Sequence, residues 1–467
     1  MDFRRCLAVV AVLATTACGA GSTIGSAPSE AGTSSGSAPG SPSPTPMAGS
    51  TAPHTATPVP TASATSSGAG GQSSTAVPFP AATDSDPFYA QPSPFPVGDA
   101  AGTILASRSV TYAPVGGVAM TNQAWELSFV SRDTNENPIA AIAVVVKPLT
   151  PAVGVAPLDA VFYAEDSLGA QCAPSHSVTG STTNSVEQAE APIALQGLTM
   201  GWTLVYPDTE GPQSAYGSGR LSGQIALDAI RAAERFAPLG LGASTPVVMT
   251  GYSGGAFPAS WGATLQHEYA PQLHIVGIAS GGTPANPEGI VQNIDTNQIS
   301  NAAFFNLILS AVVGTNRSYP SLLAGDLNAK GVAAATSLEN GCDGATSNGA
   351  AAPTGTLPDY TINPDPVHDA AAEALYPLIT EPLAGNSPVT NVFVYHSQVD
   401  ELIPIAGVIP MVDAWCAAGS PVEFYEGVTG DHVAFEASMG TLVYAYLASR
   451  INGTTTVVPP TSTTCNT

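Results

Sequence analysis

Short apolar runs alternate with helix-period stretches along most of the chain, from about residue 84 to the C-terminal end. Eight runs rich in β-branched and aromatic residues predict strands. They cover residues 125–131, 139–147, 159–163, 203–206, 247–250, 275–279, 392–395 and 422–425. The later runs are apolar throughout, which is typical of parallel strands covered by helices on both faces.

Four stretches show helical periodicity: residues 219–236, 255–270, 405–417 and 433–450. Their alternation with the strands predicts an open, mostly parallel α/β sheet. Residues 283–386 interrupt the alternation, because they contain the apolar run 304–313 and no strong strand pattern. An insertion of this size predicts a helical cap or lid on a core formed by residues 84–282 and 387–467.

The first 18 residues have the pattern of an export signal. Arg4 and Arg5 precede an apolar stretch that is too short to anchor the chain in a bilayer. Small residues lead up to Cys18, as in bacterial lipoprotein signals whose cysteine is lipidated after cleavage. The sequence therefore predicts a cell-envelope lipoprotein associated with the membrane through Cys18, and a plainly secreted protein is the alternative.

Residues 19–83 differ in composition from everything that follows. They are almost entirely Ser, Thr, Ala, Gly and Pro. A segment of this kind cannot bury an apolar core, so we expect a disordered linker between the signal and the folded region.

The charge balance limits the possible partners. The chain of 467 residues carries 11 Lys and Arg against 35 Asp and Glu, a formal net charge of −24. Such a surface cannot neutralise a phosphate backbone, so no nucleic-acid partner is expected. With 44% hydrophobic residues the chain can bury a core, which excludes fibrous and wholly disordered proteins.

Six cysteines in an exported protein suggest disulfide bonds. Cys6 and Cys18 belong to the signal region, which leaves four cysteines with three possible pairings. These are Cys172, Cys342, Cys416 and Cys465. No Cys or His spacing typical of a zinc site is present, so we expect no structural metal.

A nucleophile motif lies at residues 251–255, Gly-Tyr-Ser-Gly-Gly. A predicted strand precedes it and a predicted helix follows, which is the context of a nucleophile elbow. Glycines on both sides of Ser253 allow a strained turn between closely packed elements. The motif predicts Ser253 as the nucleophile and the N–H of Gly254 as a donor to an oxyanion.

The partners of such a serine follow in the chain order acid and then histidine. Asp400 lies in the loop after predicted strand 392–395, and His432 lies just before the last predicted helix. Both loops belong to the carboxyl edge of the predicted sheet. We therefore expect Asp400 to orient His432 and His432 to act as the base for Ser253.

Other residues are weaker candidates for these roles. His396 is close to Asp400 but precedes it, which breaks the chain order of base and acid. Glu401 and Asp431 are alternatives for the acid. The remaining histidines of the folded region have no such context and are interpreted as structural: His176, His267, His274 and His368.

Five segments together resemble the secretory lipase family of the α/β-hydrolase superfamily. They are Tyr-Ala-Glu-Asp-Ser at 163–167 with Cys-Ala-Pro-Ser at 172–175, Pro-Asp-Thr-Glu-Gly at 207–211, Gly-Tyr-Ser-Gly-Gly at 251–255, residues 396–404, and Gly-Asp-His at 430–432. The resemblance implies an α/β-hydrolase fold with a helical cap and activity on lipid esters.

The resemblance also implies roles for individual residues. It implies a catalytic triad of Ser253, Asp400 and His432, and an oxyanion hole made by Asp166 with the N–H of Gly254. It further implies two disulfide bonds, which pair Cys172 with Cys342 and Cys416 with Cys465.

We therefore interpret the chain as an exported serine ester hydrolase that forms an acyl-enzyme on Ser253 and needs no cofactor. Its expected partner is a lipid or another acyl ester. An acyltransferase that uses the same triad is one alternative. A non-catalytic surface-binding protein on a hydrolase scaffold is another.

Overall fold

The computed structural model describes residues 79–96, 98–154, 156–182, 185–297, 302–323, 326–383, 385–454 and 463–467. The predicted export signal, Cys18 and residues 19–78 of the predicted linker lie outside these residues. The fold and the site are accordingly those of the region that begins at Phe79.

Ten described strands form one sheet. They are β1 (Ile104–Val110), β2 (Ala124–Arg132), β3 (Pro138–Val146), β4 (Leu158–Phe162), β5 (Thr203–Pro207), β6 (Val247–Tyr252), β7 (Ile275–Gly281), β8 (Val392–Ser397), β9 (Val422–Gly427) and β10 (Thr463–Cys465). Their spatial order is β1-β2-β3-β5-β4-β6-β7-β8-β9-β10. From β5 to β9 all neighbours are parallel, and the remaining pairs are antiparallel. The prediction of a mostly parallel sheet is confirmed.

All eight predicted strands are present, but β1 and β10 were not predicted. β1 is an edge strand whose sequence mixes apolar and polar residues and whose side chains are half-buried or exposed. β10 is only three residues long and carries two threonines. Both are held by pairing with a neighbouring strand, which a local pattern does not reveal.

Eleven described α-helices accompany the sheet. They are α1 (Pro174–Thr179), α2 (Ser185–Thr199), α3 (Gly219–Arg235), α4 (Ala256–Tyr269), α5 (Pro287–Asn297), α6 (Ala302–Ser318), α7 (Pro320–Leu323), α8 (Ala329–Leu338), α9 (Ala370–Ile379), α10 (Ile409–Ala417) and α11 (His432–Ile451). The helix α2 was not predicted because Pro192 lies inside it and signals a break. Within the described ranges, no helix is both long and apolar enough to cross a membrane.

The central strands are covered on both faces, which explains their continuous apolar sequences. In β6, Val247 and Met249 pack with α3 and α4, whereas Val248 faces the opposite side. There it joins a cluster that contains Leu447 of α11. The sheet therefore separates two apolar layers and holds the ends of its parallel strands at one edge.

The predicted insertion contains helices α5 to α9, and one apolar cluster joins its side chains to Leu168, Leu402 and Ile403 outside the insertion. The apolar run 304–313 lies within α6, and Phe305 packs with its ring centroid 5.3 Å from that of Tyr360. The two ends of the insertion meet, because the N–H of Glu381 donates to the carbonyl of Ala285 at 2.8 Å.

Two disulfide bonds link distant parts of the chain. Cys172 pairs with Cys342 of the insertion, and Cys416 at the end of α10 pairs with Cys465 of β10. The Cα–Cα distances are 5.5 Å and 5.7 Å. The pairing implied by the family resemblance is confirmed.

Arg317, near the end of α6, fastens the insertion to the rest of the chain. Its guanidinium donates only to backbone carbonyls, which belong to Phe79, Leu168, Gln213, Ser214 and Glu339. Phe79 therefore already contacts the folded region, several residues before the boundary expected at residue 84. Burial lowers the pKa of Arg317 to about 10.

We expect Arg317→Lys to lower the free energy of unfolding by about 2–4 kcal/mol, because one ammonium cannot donate to five carbonyls. Arg220→Lys is the matched control, since the exposed Arg220 pairs only with exposed Glu136 and Gln224 shares that acceptor. The control is expected to change stability by less than about 1 kcal/mol. Urea unfolding of both variants gives the comparison, and equal losses would contradict the anchoring role of Arg317.

Candidate active site

The turn after β6 carries Ser253 in a left-handed conformation, with φ of 53°. The strand ends at Tyr252 and α4 begins at Ala256, so the turn is as short as the motif predicts. A Cβ on Gly251 would stand 2.1 Å from the carbonyl oxygen of Gly255. Only glycine allows strand and helix to approach this closely, and the turn projects Ser253 from the sheet edge.

Three predicted site residues meet in one chain of hydrogen bonds. The Oγ of Ser253 lies 2.8 Å from Nε2 of His432, and Nδ1 of His432 lies 2.7 Å from Oδ2 of Asp400. The other oxygen of Asp400 accepts from the N–H groups of Leu402 at 3.0 Å and Ile403 at 2.7 Å. The acid is thereby fixed by backbone donors, and it fixes the imidazole.

The charges along this series of hydrogen bonds favour an ionised carboxylate at Asp400 and a basic imidazole at His432. Burial alone would raise the pKa of Asp400, but the hydrogen bond and charge of His432 lower it below its ordinary value. Burial alone would lower the pKa of His432, but the hydrogen bond and charge of Asp400 raise it. Because an ionised Asp400 can only accept, Nδ1 carries the proton and Nε2 is free to accept the proton of Ser253.

Neighbouring groups hold the backbone of His432. Tyr252 donates its hydroxyl to the carbonyl of His432 at 2.8 Å, and the N–H of His432 donates to Oε2 of Glu401 at 2.9 Å. Asp431 accepts from the N–H of Ala434 at 2.8 Å and so caps α11. Glu401 and Asp431, the two alternative acids, thus contact backbone groups.

His396 is buried behind the acid. Its Nε2 donates to the carbonyl of Ile403 at 2.8 Å and lies 3.5 Å from Oδ2 of Asp400. Burial lowers the pKa of His396, which favours the neutral imidazole. In the described region no hydrogen bond joins His396 to Ser253, and its position is that of a packing residue beside the acid.

Asp166 lies in the loop after β4 with φ of 39°. Its carboxyl contacts the turn that follows Ser253, because a Cβ on Gly254 would stand only 2.1 Å from Oδ1 of Asp166. This buried oxygen has no hydrogen-bond partner in the described part of the chain. Burial, followed by the negative charge of Asp343, raises the pKa of Asp166 to about 7, although His432 opposes the shift.

Ser253, Gly254 and Asp166 line one pocket. Much of the remaining wall is apolar and comes from Phe257 and from two helices of the insertion. The lining side chains of α5 and α6 are Ile290, Val291, Ile294, Leu307, Ile308 and Ala311. The pocket therefore offers a hydrocarbon-lined space directly beside Ser253.

A group of buried carboxyls near the pocket was not predicted as functional. Glu165, Asp208 and Glu210 are each less than 7% exposed, and burial is the main cause that raises their pKa values. Asp208 and Glu210 follow β5, and Glu165 follows the adjacent β4. The sequence does contain a signal for this group, since acidic residues follow directly after two predicted strands. Loops in these positions meet at the carboxyl edge of a parallel sheet. Among the described residues, no three His, Cys, Asp or Glu side chains are arranged to hold a metal ion.

The chain is similar to known lipases in sequence. A family model described as "Secretory lipase" matches residues 177–458. A secreted triacylglycerol lipase of Malassezia furfur is 29% identical over 381 residues, which cover 79% of this chain and 76% of the relative. Lipase 5 of Candida albicans is 31% identical over 402 residues, covering 81% of this chain and 83% of the relative.

Solved structures agree with this similarity. Candida antarctica lipase A in its closed state matches with a TM-score of 0.70 and 26% identity, over 80% of this chain and 87% of that chain. A rice cell wall degrading esterase from Xanthomonas oryzae matches with a TM-score of 0.58 and 17% identity, over 75% of this chain and all of that one. The second likeness bears on the fold alone.

Proposed function

This chain belongs to the secretory lipase family and is a carboxylic ester hydrolase of the α/β-hydrolase fold, and we propose that it cleaves lipid esters such as triacylglycerols through Ser253. The hydrogen-bonded series Ser253, His432 and Asp400 at the wall of an apolar pocket is the observation that carries this proposal. The name of the Malassezia furfur relative, a triacylglycerol lipase, supports the substrate class.

In the proposed reaction, Nε2 of His432 removes the proton of Ser253 while Oγ attacks the ester carbonyl carbon. The C=O electron pair moves onto oxygen and gives a tetrahedral oxyanion. His432 then returns the proton to the leaving alkoxide, which departs as an alcohol and leaves an acyl-enzyme. Water attacks this acyl group by the same steps, releases the acid and restores Ser253.

We expect Ser253→Ala and His432→Ala each to lower kcat by about 10⁶-fold, and the double variant to lose hardly more, because the residues act as a unit. Asp400→Asn is expected to cost about 10⁴-fold, since it favours the wrong imidazole tautomer. Rates on a soluble p-nitrophenyl ester give the comparison.

His396→Ala and Glu401→Gln are the controls for this assignment, because both residues lie beside the triad without contacting the Oγ of Ser253. A severe loss in His396→Ala together with a mild loss in His432→Ala would refute the assignment of the base. A severe loss in Glu401→Gln with a mild loss in Asp400→Asn would refute the assignment of the acid.

Asp166 and the N–H of Gly254 are proposed to stabilise the oxyanion. An ionised carboxylate would repel the oxyanion, so Asp166 must be protonated and donate a hydrogen bond. Its unpartnered buried oxygen against Gly254 and its raised pKa of about 7 both support this role. Activity should therefore fall as pH rises through the pKa of Asp166, whereas the low-pH limb reports protonation of His432.

We expect Asp166→Asn to retain substantial activity and to weaken the alkaline decline, because the amide keeps a donor and does not ionise. Asp166→Leu has no donor and should lose about 10²–10³ in kcat. Asp431→Asn is the control, since this nearby acid only caps α11 and its loss should leave the alkaline limb unchanged. Equal effects of Asn and Leu at position 166 on the pH profile of kcat would exclude the donor role.

The insertion is proposed to act as a cap on the core of residues 84–282 and 387–467. Support comes from the helices α5 and α6, whose apolar side chains line the pocket beside Ser253. Leu307 and Ile308 line it, whereas Phe305 of the same helix packs inside the insertion. The cap would thus cover a hydrocarbon chain of the substrate.

We expect Leu307→Ser to lower kcat/KM more for palmitate esters than for butyrate esters, because only the longer chain reaches deep into the apolar wall. Leu378→Ser is the control, since Leu378 is exposed on α9 of the same insertion. A loss in Leu307→Ser that is the same for both chain lengths would mean that Leu307 is a packing residue only.

The protein is proposed to be exported, as the secreted relatives are, and to be lipidated at Cys18. The apolar signal before this cysteine supports the lipid anchor. We expect Cys18→Ser to move the enzyme from the membrane fraction to the medium or to leave its signal uncut, whereas Cys6→Ser leaves the fractionation unchanged. Normal cleavage and unchanged fractionation of Cys18→Ser would show an enzyme without this anchor.

A further inference from the structure

One side of the pocket is polar, and the proposed reaction leaves it unused. Glu165, Thr209, Glu210 and Ser222 line this side, which is formed by the loops after β4 and β5 and by the start of α3. The N–H of Glu210 donates to Oε2 of Glu165 at 3.3 Å, so the two loops are in direct contact here.

Glu210, which lines the pocket, has one carboxyl oxygen without a hydrogen-bond partner in the described part of the chain. The residue is only 4% exposed, and its Oε1 accepts a long hydrogen bond of 3.4 Å from the N–H of Ser167. Its Oε2 is buried and has no partner in the described part of the chain. A buried carboxyl oxygen without a partner is destabilising, and a bound molecule that pairs with it would remove that cost.

We propose that Glu210 binds a hydroxyl group of the ester substrate, an inference that rests on the proposed hydrolysis at Ser253. A hydroxyl both donates and accepts, so it pairs with a carboxyl in either protonation state. Thr209 and Ser222 line the same pocket, where the hydroxyl of Ser222 donates to the carbonyl of Ser218 at 3.2 Å. A plain alkyl chain in the same place would leave Oε2 unpaired.

The surroundings of Glu210 favour a neutral ligand over a cation. Burial and the neighbouring Glu165 raise the pKa of Glu210, so its carboxyl tends to keep its proton. The positive charge of the buried Arg317 acts on Glu210 as well and would repel an ammonium group. An uncharged donor and acceptor such as an alcohol meets neither obstacle.

The hydroxyl could belong to the leaving alcohol or to the acyl chain, and two substrate pairs distinguish these sources. Monolaurin and propyl laurate differ only in the hydroxyl groups of the alcohol part. Methyl ω-hydroxylaurate and methyl laurate differ only in one hydroxyl group of the acyl chain. The measured quantity is the ratio of kcat/KM within each pair, in which the fraction of folded enzyme cancels.

We expect the wild-type enzyme to prefer the hydroxylated member of one pair by about tenfold, the effect of one well-made hydrogen bond. Glu210→Leu should bring that ratio to one or below, and Glu210→Gln should retain most of it because an amide still pairs with a hydroxyl. Thr315→Val is the control, since Thr315 lines the pocket but already donates to the carbonyl of Ala311 at 2.6 Å. Its ratio should equal that of the wild type.

Ratios of one in both wild-type pairs, or a preference that survives Glu210→Leu, would overturn the inference. A failure of the proposed reaction is a separate result, because it would abolish hydrolysis of all four esters. In that case the affinity of the Ser253→Ala variant for non-hydrolysable ligands is measured instead. Monolauryl glycerol ether is compared with lauryl propyl ether, and ω-hydroxylauric acid is compared with lauric acid. Equal affinities within both pairs would then count against Glu210 as a hydroxyl-binding residue.

Discussion

The close packing around the turn at Ser253 is the constraint on which the whole site depends. The carbonyl of Phe162, at the end of β4, packs so closely against the turn that it leaves no room for a Cβ on Gly255. The carboxyl of Asp166 packs against the same turn and leaves no room for a Cβ on Gly254. The two glycines therefore fix the position of the loop after β4 as well as that of the serine. His432 approaches the same serine from the start of α11 and completes an arrangement that small shifts of any one loop would break.

The features predictable from the sequence are those that are consecutive in the chain or that follow from strand order. The strand, glycines and helix around Ser253 form one continuous signature. Asp400 and His432 could be placed because they follow strands whose ends share one edge of a parallel sheet. The closing strand β10 was missed because three residues acquire their structure only by pairing with β9 and through the disulfide at Cys465.

The pocket could not be predicted from local patterns, because its lining depends on how helices are rotated against the core. The apolar run of α6 indicates burial, but it does not tell which side chains face the pocket at Ser253. Phe305 faces the interior of the insertion, whereas Leu307 faces the pocket. The contact of Glu165 with Glu210 was hidden for a similar reason, since it joins loops after two different strands.

Three described arginines pair with buried acids that do not line the pocket: Arg108 with Glu126, Arg231 with Asp228 and Arg450 with Glu423. Arg317 directs its donors to backbone carbonyls, although it lies near enough to influence Glu210. At the site edge, burial raises the pKa values of Asp166 and Asp208 to about 7, which favours their protonated forms. Among the described residues, no Lys or Arg side chain forms an ion pair with Asp166, Asp208 or Glu210.

The two disulfide bonds have a further consequence for an enzyme that acts outside the cell. The bond between Cys172 and Cys342 closes a ring that contains Ser253, and the bond between Cys416 and Cys465 closes a second ring that contains His432. A protease that cuts one exposed loop within either ring produces no free fragment, because the cut ends stay covalently joined through sulfur. Ser253 and His432 are each retained after a single cleavage in their own ring, and such a nicked molecule can keep the two residues together.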